Sequence, residues 1–145
     1  MTKTKTRKNK LGKCGTLAFR AIIDGTYASQ VMAVCGMDFD GLPYDVRLCH
    51  GFPIATRGVA VGKRIFHAWL EIGQENENGS WQPWFVVDCG SFEDQPMRLF
   101  IHYQYYHHGK IVAADVQRYT RREAARECLV SRHTGPWRPT PPDVV

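Results

Sequence analysis

Two β-rich runs separated by a polar segment constrain the fold most strongly. In residues 64–72 apolar and other side chains alternate with a period of two, which is typical of a strand. One set of alternating positions is Phe66, Ala68, Leu70 and Ile72, and the other is Ile65, His67, Trp69 and Glu71. Residues 81–89 alternate in the same way, with Trp84, Val86 and Asp88 on one face and Phe85, Val87 and Cys89 on the other. The pattern predicts an antiparallel hairpin.

The register of this hairpin brings a histidine to a carboxylate. The polar segment QENENGS favours a turn centred between Glu77 and Asn78, which places His67 directly opposite Asp88. The Cβ atoms of such a pair are about 4.5–5.5 Å apart, so the carboxylate can hold an imidazole N–H. A histidine with an orienting aspartate needs only a nucleophile to form a catalytic triad.

The composition indicates one folded domain. The chain has 145 residues, of which 43% are hydrophobic and 12% aromatic, enough for a hydrophobic core. No apolar run has the length of a membrane span, and the lysine-rich N-terminus lacks the apolar segment of a signal peptide. We therefore expect a cytoplasmic protein without a membrane partner, with its domain at residues 11–138.

The five cysteines are odd in number, widely spread and without a CxxC pair, which favours free thiols over a disulfide framework. They are Cys14, Cys35, Cys49, Cys89 and Cys128. No bound cofactor is expected. At least one of these thiols is a candidate reactive group.

The positive charge is concentrated in the first thirteen residues, which hold six lysines and arginines of a chain with net charge +5. Residues 1–10 are predicted to be a flexible basic arm. Residues 1–13 could contact nucleic acid or another polyanion, or could serve only to keep the chain soluble. Residues 139–145 form a proline-rich tail that is predicted to be extended.

A nucleophile is predicted at the start of the first helix. Leu17, Ala18, Ala21 and Ile22 recur at helical spacing, and Gly25 is a plausible stop. Cys14 then lies at the helix N-terminus, where free N–H groups and the helix dipole lower a thiol pKa, with Lys13 adding to the effect.

The other elements indicate an α+β domain. Residues 27–37 favour a second helix, and residues 38–43 a turn. Residues 44–54 predict a strand with Val46, Leu48 and His50 opposite Arg47 and Cys49.

Further along, Ser91 to Asp94 can cap a helix that ends before Gly109, although its aromatic run would equally suit a strand. Residues 111–119 predict a strand. Thr120 and Glu123 form a capping box for a last helix, whose apolar stripe is Ala124, Ala125, Cys128 and Leu129.

Other interpretations of these residues are open. Cys49 lies beside His50, but adjacent strand residues face opposite sides and do not easily form a dyad. His102, His107 and His108 could bind zinc with Cys49 or Cys89, yet the spacing of a helical histidine pair is missing, and no metal site is predicted. The aromatic residues 100–106 could stack nucleic-acid bases, but without interleaved Lys or Arg they are better explained as core.

Together these motifs resemble the papain-like and transglutaminase-core thiol superfamily. HAWLE followed by WFVVD is similar to the HAWVE and W..VD segments of transglutaminase-like proteins, and FVVDCG resembles the arylamine N-acetyltransferases. The nearest resemblance is to small uncharacterised phage and bacterial proteins. Their pattern is matched at Cys14, 48–51, 67–71, 86–88, Tyr105 with Tyr106, 119–124 and 135–137.

Two departures limit the resemblance. The residues around Cys14 are K-C-G rather than the D-C-S-G of NlpC/P60 peptidases, so a peptidoglycan substrate is not implied. No glutamine precedes Cys14 to supply the papain-type oxyanion side chain, so we assign that role to the backbone N–H groups of Cys14 and Gly15.

The resemblance implies a papain-like fold in which a cysteine-bearing helix packs on an antiparallel sheet beside a C-terminal helix. It implies a cysteine hydrolase or acyltransferase that acts on a peptide, amide or other acyl substrate through Cys14, His67 and Asp88. Trp69, Glu71 and His50 are the predicted substrate-binding residues. The alternative is an inactive member of the fold that binds a host protein or nucleic acid.

Overall fold

The computed structural model describes residues 14–24, 44–89 and 98–145. These residues form three α-helices and one five-stranded antiparallel sheet, which confirms the α+β class. The helices are α1 (Cys14–Asp24), α2 (His102–Gly109) and α3 (Arg121–Ser131). The strands are β1 (Asp45–Gly51), β2 (His67–Glu75), β3 (Trp81–Asp88), β4 (Arg98–Ile101) and β5 (Gln117–Tyr119). Their order in the sheet is β4-β3-β2-β1-β5.

Both faces of the sheet are covered, which explains why the middle of β2 is buried at every position. On one face Ala68, Leu70 and Ile72 pack in the same core cluster as Ala18 and Ile22 of α1. On the other face the buried residues Cys49, Trp69 and Val86 cluster with Tyr106 of α2. The alternation that predicts strands thus separates two packed surfaces rather than a core from solvent.

The predicted hairpin is confirmed, but its register is wrong by two residues near the site. Leu70 pairs with Val87, so Asp88 is diagonal to His67 rather than directly opposite. One residue of the difference arises at a bulge between Ile72 and Gly73, and the other is already present next to the turn, where Glu75 pairs with Trp81. A shift of two residues keeps every side chain on its face, so His67 and Asp88 still share one surface.

The first helix and first strand agree with their predictions. In α1 the stripe of Ala18, Ala21 and Ile22 is buried, while Leu17 is 36% exposed and lies outside it. In β1 the residues Val46 and Leu48 face the α1 side. The predicted basic arm, second helix and turn at 38–43 lie outside the described residues.

The aromatic run forms both a strand and a helix. Its first part is β4, because Leu99 and Phe100 pair with Val87 and Val86 of β3. Its second part is α2, so a single helix continuing through Arg98 is wrong; the proposed cap at 91–94 lies outside the described residues. The strand predicted at 111–119 is confirmed only for Gln117–Tyr119, and a short 3-10 turn precedes it.

The capping box of the last helix is confirmed, but its apolar stripe is only partly buried. The Thr120 hydroxyl accepts from the Glu123 N–H at 3.1 Å, and the Glu123 carboxylate accepts from the Thr120 N–H at 2.9 Å. Ala124 is fully buried, whereas Leu129 is 80% exposed, because α3 covers the sheet with only one edge.

The C-terminal segment returns to the body of the domain. Asp143 contacts the Arg64 guanidinium at 3.1 Å, and the Val145 N–H donates to the Arg64 carbonyl. The tail also turns between Pro141 and Val144, so it is not extended throughout. Within the described ranges, no helix is both long enough and apolar enough to cross a membrane.

Candidate active site

Three elements meet at one end of the sheet and bring Cys14, His67 and Asp88 together. His67 is the first residue of β2, where it pairs with Gly51 at the end of β1. Asp88 is the last residue of β3, and Cys14 is the first residue of α1. Because β2 and β3 are antiparallel, the start of one strand lies beside the end of the other.

Asp88 orients the imidazole of His67. The Nε2 atom of His67 lies 2.9 Å from Oδ2 of Asp88, and the Asp88 side chain is only 4% exposed. This contact leaves Nδ1 as the ring nitrogen available to Cys14. In the sheltered position, the carboxylate fixes both the direction of the ring and the position of its proton.

Cys14 and His67 form a hydrogen-bonded pair that favours the charged state of both groups. Burial disfavours the thiolate, but the hydrogen bond and charge of His67, with the N–H groups of Ala68 and Gly15, lower the Cys14 pKa. Burial likewise disfavours the imidazolium, but hydrogen bonds to Asp88 and Cys14 raise the pKa of His67 to about 10. Both shifts favour the thiolate–imidazolium form of the pair.

The backbone N–H of Ala68 is a part of the site that the sequence pattern did not identify. Hydrogen bonding by this N–H, and by that of Gly15, lowers the Cys14 pKa. Backbone donors leave no signature in side-chain type, so only the packing of α1 against the start of β2 reveals Ala68. The assignment of the Cys14 and Gly15 N–H groups to an oxyanion stays a prediction.

Tyr105 is the second residue missed as part of the site. Its hydroxyl donates to Oδ2 of Asp88 at 2.7 Å, which is the oxygen that also faces His67. Tyr105 lies in the aromatic run interpreted as core. The only sequence signal for it was the Tyr105 and Tyr106 pair within the family resemblance.

Two of the predicted substrate-binding residues are inside the domain. Trp69 and Glu71 are 0% exposed, so they do not line an open cleft. Glu71 accepts hydrogen bonds from Trp81 Nε1 at 2.9 Å and Arg118 Nε at 2.8 Å, and also from Trp69 and the Tyr106 hydroxyl. Burial disfavours its charge, but His102, Arg118 and Tyr106 hold the Glu71 pKa well below its usual range. Glu71 thus attaches α2 to the sheet and links β5 to β2 through Arg118.

The third predicted substrate-binding residue, His50, is also 0% exposed. Its ring packs among Phe66, Tyr119 and Trp137, with centroid distances of 4.9–5.1 Å. Neither ring nitrogen has a hydrogen-bond partner among the described residues, and burial lowers the pKa of His50 to about 4. A neutral histidine enclosed by aromatic rings is a packing residue in this structure.

Two of the other thiols, those of Cys49 and Cys89, have raised rather than lowered pKa values. Cys49 is fully buried, and burial with the charge of Glu71 raises its pKa well above the usual value. Burial and the charge of Asp88 raise the pKa of Cys89 to about 12. Cys128 is partly exposed on α3, and Cys35 lies outside the described residues. In residues 14–24, 44–89 and 98–145 no three His, Cys, Asp or Glu side chains are grouped to hold a metal.

Comparison of the chain with protein-family models, curated proteins and solved structures gave no match.

Proposed function

We propose that this protein is a cysteine hydrolase or acyltransferase that works through a thioester on Cys14. The observation that carries the proposal is the continuous chain of contacts from Cys14 to His67 and from His67 to Asp88. It lowers the pKa of the thiol and raises that of the imidazole, which is the activation that a cysteine nucleophile requires. Cys14 also begins a helix, whose N-terminal dipole favours the thiolate.

In the first half of the reaction, the Cys14 thiolate attacks an acyl carbon and forms a carbon–sulfur bond. Electrons of the carbonyl move to its oxygen and then return as the bond to the leaving group breaks. The His67 imidazolium gives its Nδ1 proton to the departing amine or alcohol. Asp88 keeps the ring in place while its charge changes, and the product of this half is a thioester.

In the second half, neutral His67 removes a proton from the acyl acceptor. Water as acceptor releases a carboxylic acid, whereas an amine forms a new amide. In either case the thioester bond breaks and the thiolate is restored beside an imidazolium. The three residues therefore serve both hydrolysis and transfer.

The arrangement of elements supports a papain-like interpretation of the α+β fold. A helix that begins at the nucleophile packs on an antiparallel sheet, and neighbouring strands carry the histidine and aspartate. We propose membership of the papain-like and transglutaminase-core superfamily on this arrangement and on the HAWLE and WFVVD motifs. The corresponding substrate class is a peptide, an amide or another activated acyl group.

Acyl-enzyme trapping tests the proposed function. The wild-type chain is mixed with p-nitrophenyl esters of different acyl chains, quenched in acid and examined by peptide mass spectrometry. We expect one acyl group on Cys14, its loss in Cys14→Ser and its release by hydroxylamine. Cys128→Ser is the matched control, because this partly exposed thiol lies on another helix. Acylation spread over several cysteines and unchanged by Cys14→Ser would reject the proposal.

A further inference from the structure

We infer that Tyr105 is a positioning residue of this site, whose hydroxyl holds the Asp88 carboxylate in the orientation that His67 requires. The inference rests on the proposed function for its catalytic meaning. Its physical content, a hydroxyl that orients and stabilises a carboxylate, is separate from any activity and can be measured separately.

Two donors converge on one carboxylate oxygen. Oδ2 of Asp88 lies 2.7 Å from the Tyr105 hydroxyl and 2.9 Å from His67 Nε2. A carboxylate with one such contact can turn about its Cβ–Cγ bond and still keep it. A second donor from a different element restricts this rotation, so Oδ2 stays directed at the imidazole.

The Tyr105 hydroxyl is itself held in place by packing on two sides. Its ring lies 5.6 Å from the Trp69 ring and 5.1 Å from the Phe100 ring, measured between centroids. The next residue, Tyr106, donates to buried Glu71 and so attaches α2 to the sheet. Tyr105 therefore reaches Asp88 from a supported position rather than from a mobile side chain.

Tyr105 remains a donor throughout the working range of the site. Burial and the nearby charges of Asp88 and Cys14 raise its pKa well above the usual value. Its proton consequently stays on the phenol, and Asp88 receives a hydrogen bond without a change of net charge. This bond favours the ionised carboxylate, which in turn keeps the shared proton on His67.

Several charged or titratable groups surround Asp88, and any change of pH profile must be assigned among them. They are His67 on β2, Tyr105 on α2, Cys89 next to it in the chain, Cys14 of α1 and Arg98, its paired residue on β4. Replacement of Tyr105 by Phe removes a single hydroxyl and changes none of these charges. It therefore separates the effect of the hydroxyl from the effects of the surrounding charges.

Two measurements on Tyr105→Phe test the inference. The first is the pH profile of Cys14 alkylation by iodoacetamide, whose acid limb we expect to move up by about one pH unit, making alkylation about tenfold slower below the limb. The second is the titration of the Asp88 carboxyl carbon by NMR, whose midpoint we expect to rise by a similar amount.

Two neighbouring tyrosines on α2 provide controls. Tyr103→Phe alters a side chain that is 72% exposed, so both profiles should match wild type. Tyr106→Phe removes a buried hydroxyl that donates to Glu71, so it should lower the melting temperature without moving either profile. It separates loss of stability from loss of positioning.

The outcomes are distinguishable from those for the proposed function. An Asp88 titration in Tyr105→Phe that matches wild type overturns the inference, whether or not the protein is an enzyme. A raised Asp88 midpoint supports it, even if Cys14 forms no acyl-enzyme and the proposed function fails. Equal losses of melting temperature in the Tyr105 and Tyr106 variants, with neither profile moved, would show a structural role only and also overturn it.

Discussion

The imidazole Nε2 of His67 lies 2.9 Å from Oδ2 of Asp88, although the two residues are diagonal rather than directly paired in the hairpin. Diagonal positions on neighbouring strands are still within reach of long side chains. The contact is made at the end of the sheet, where α1 brings a thiol to the other ring nitrogen. One carboxylate therefore orients the His67 ring and, through it, affects the charge of the Cys14 thiol.

Replacement of Asp88 by Asn tests this control. The amide keeps the size of the side chain but removes its charge, so we expect the pKa of His67 to fall from about 10 by roughly 1–3 units. NMR titration of the His67 Cε1 resonance measures the change. Asp45→Asn is the control, because its carboxylate pairs with Arg47. A His67 titration unaffected by Asp88→Asn would contradict the assigned contact.

Glu71→Ala tests the buried network behind the site. It would leave Arg118, Trp81 and Tyr106 without their common acceptor, and such a loss costs about 3–5 kcal/mol in the free energy of unfolding. Urea denaturation gives the value. Glu75→Ala is the control, since its half-exposed carboxylate pairs with Arg47 and should cost at most about 1 kcal/mol. Equal effects of the two substitutions would show that the network does not stabilise the fold.

His50 should make the protein sensitive to acid. Its pKa is about 4 in the folded chain against an ordinary 6.5, so the unfolded chain binds the additional proton. Stability is then fully present above about pH 6.5 and decreases by about 3 kcal/mol as pH falls to about 4. His50→Leu removes the titrating ring and should flatten this part of the stability profile. His108→Leu, on an exposed position of α2, should retain the wild-type slope, and a wild-type slope in His50→Leu would be contrary to this explanation.

The hairpin shows which structural features a sequence pattern can predict and which it cannot. Alternation identifies the strands and their faces because burial acts on side chains, which the sequence displays directly. The bulge at Gly73 depends instead on close backbone approach: a Cβ there would lie 2.1 Å from the Gln82 carbonyl oxygen. A glycine in a strand is compatible with several registers, so the one-residue shift at this bulge could not be predicted.

The candidate site divides in the same way. Cys14, His67 and Asp88 were predicted because their chemistry and spacing are visible in one dimension. Tyr105 was not predicted, because the sequence does not show whether the hydroxyl of a tyrosine in an aromatic run contacts a carboxylate or only packs in the core. The prediction that Trp69 and Glu71 bind substrate requires them to be accessible. Both are buried instead, because α2 covers this face of the sheet.

The most direct test of the central claim is the alkylation rate of Cys14 at about pH 6, with Cys128 of the same chain as the internal reference. We predict that iodoacetamide modifies Cys14 at least about tenfold faster, and that His67→Ala removes most of this advantage because the Cys14 pKa returns toward 9.0. Equal rates for the two thiols, unaltered by His67→Ala, would contradict an activated Cys14.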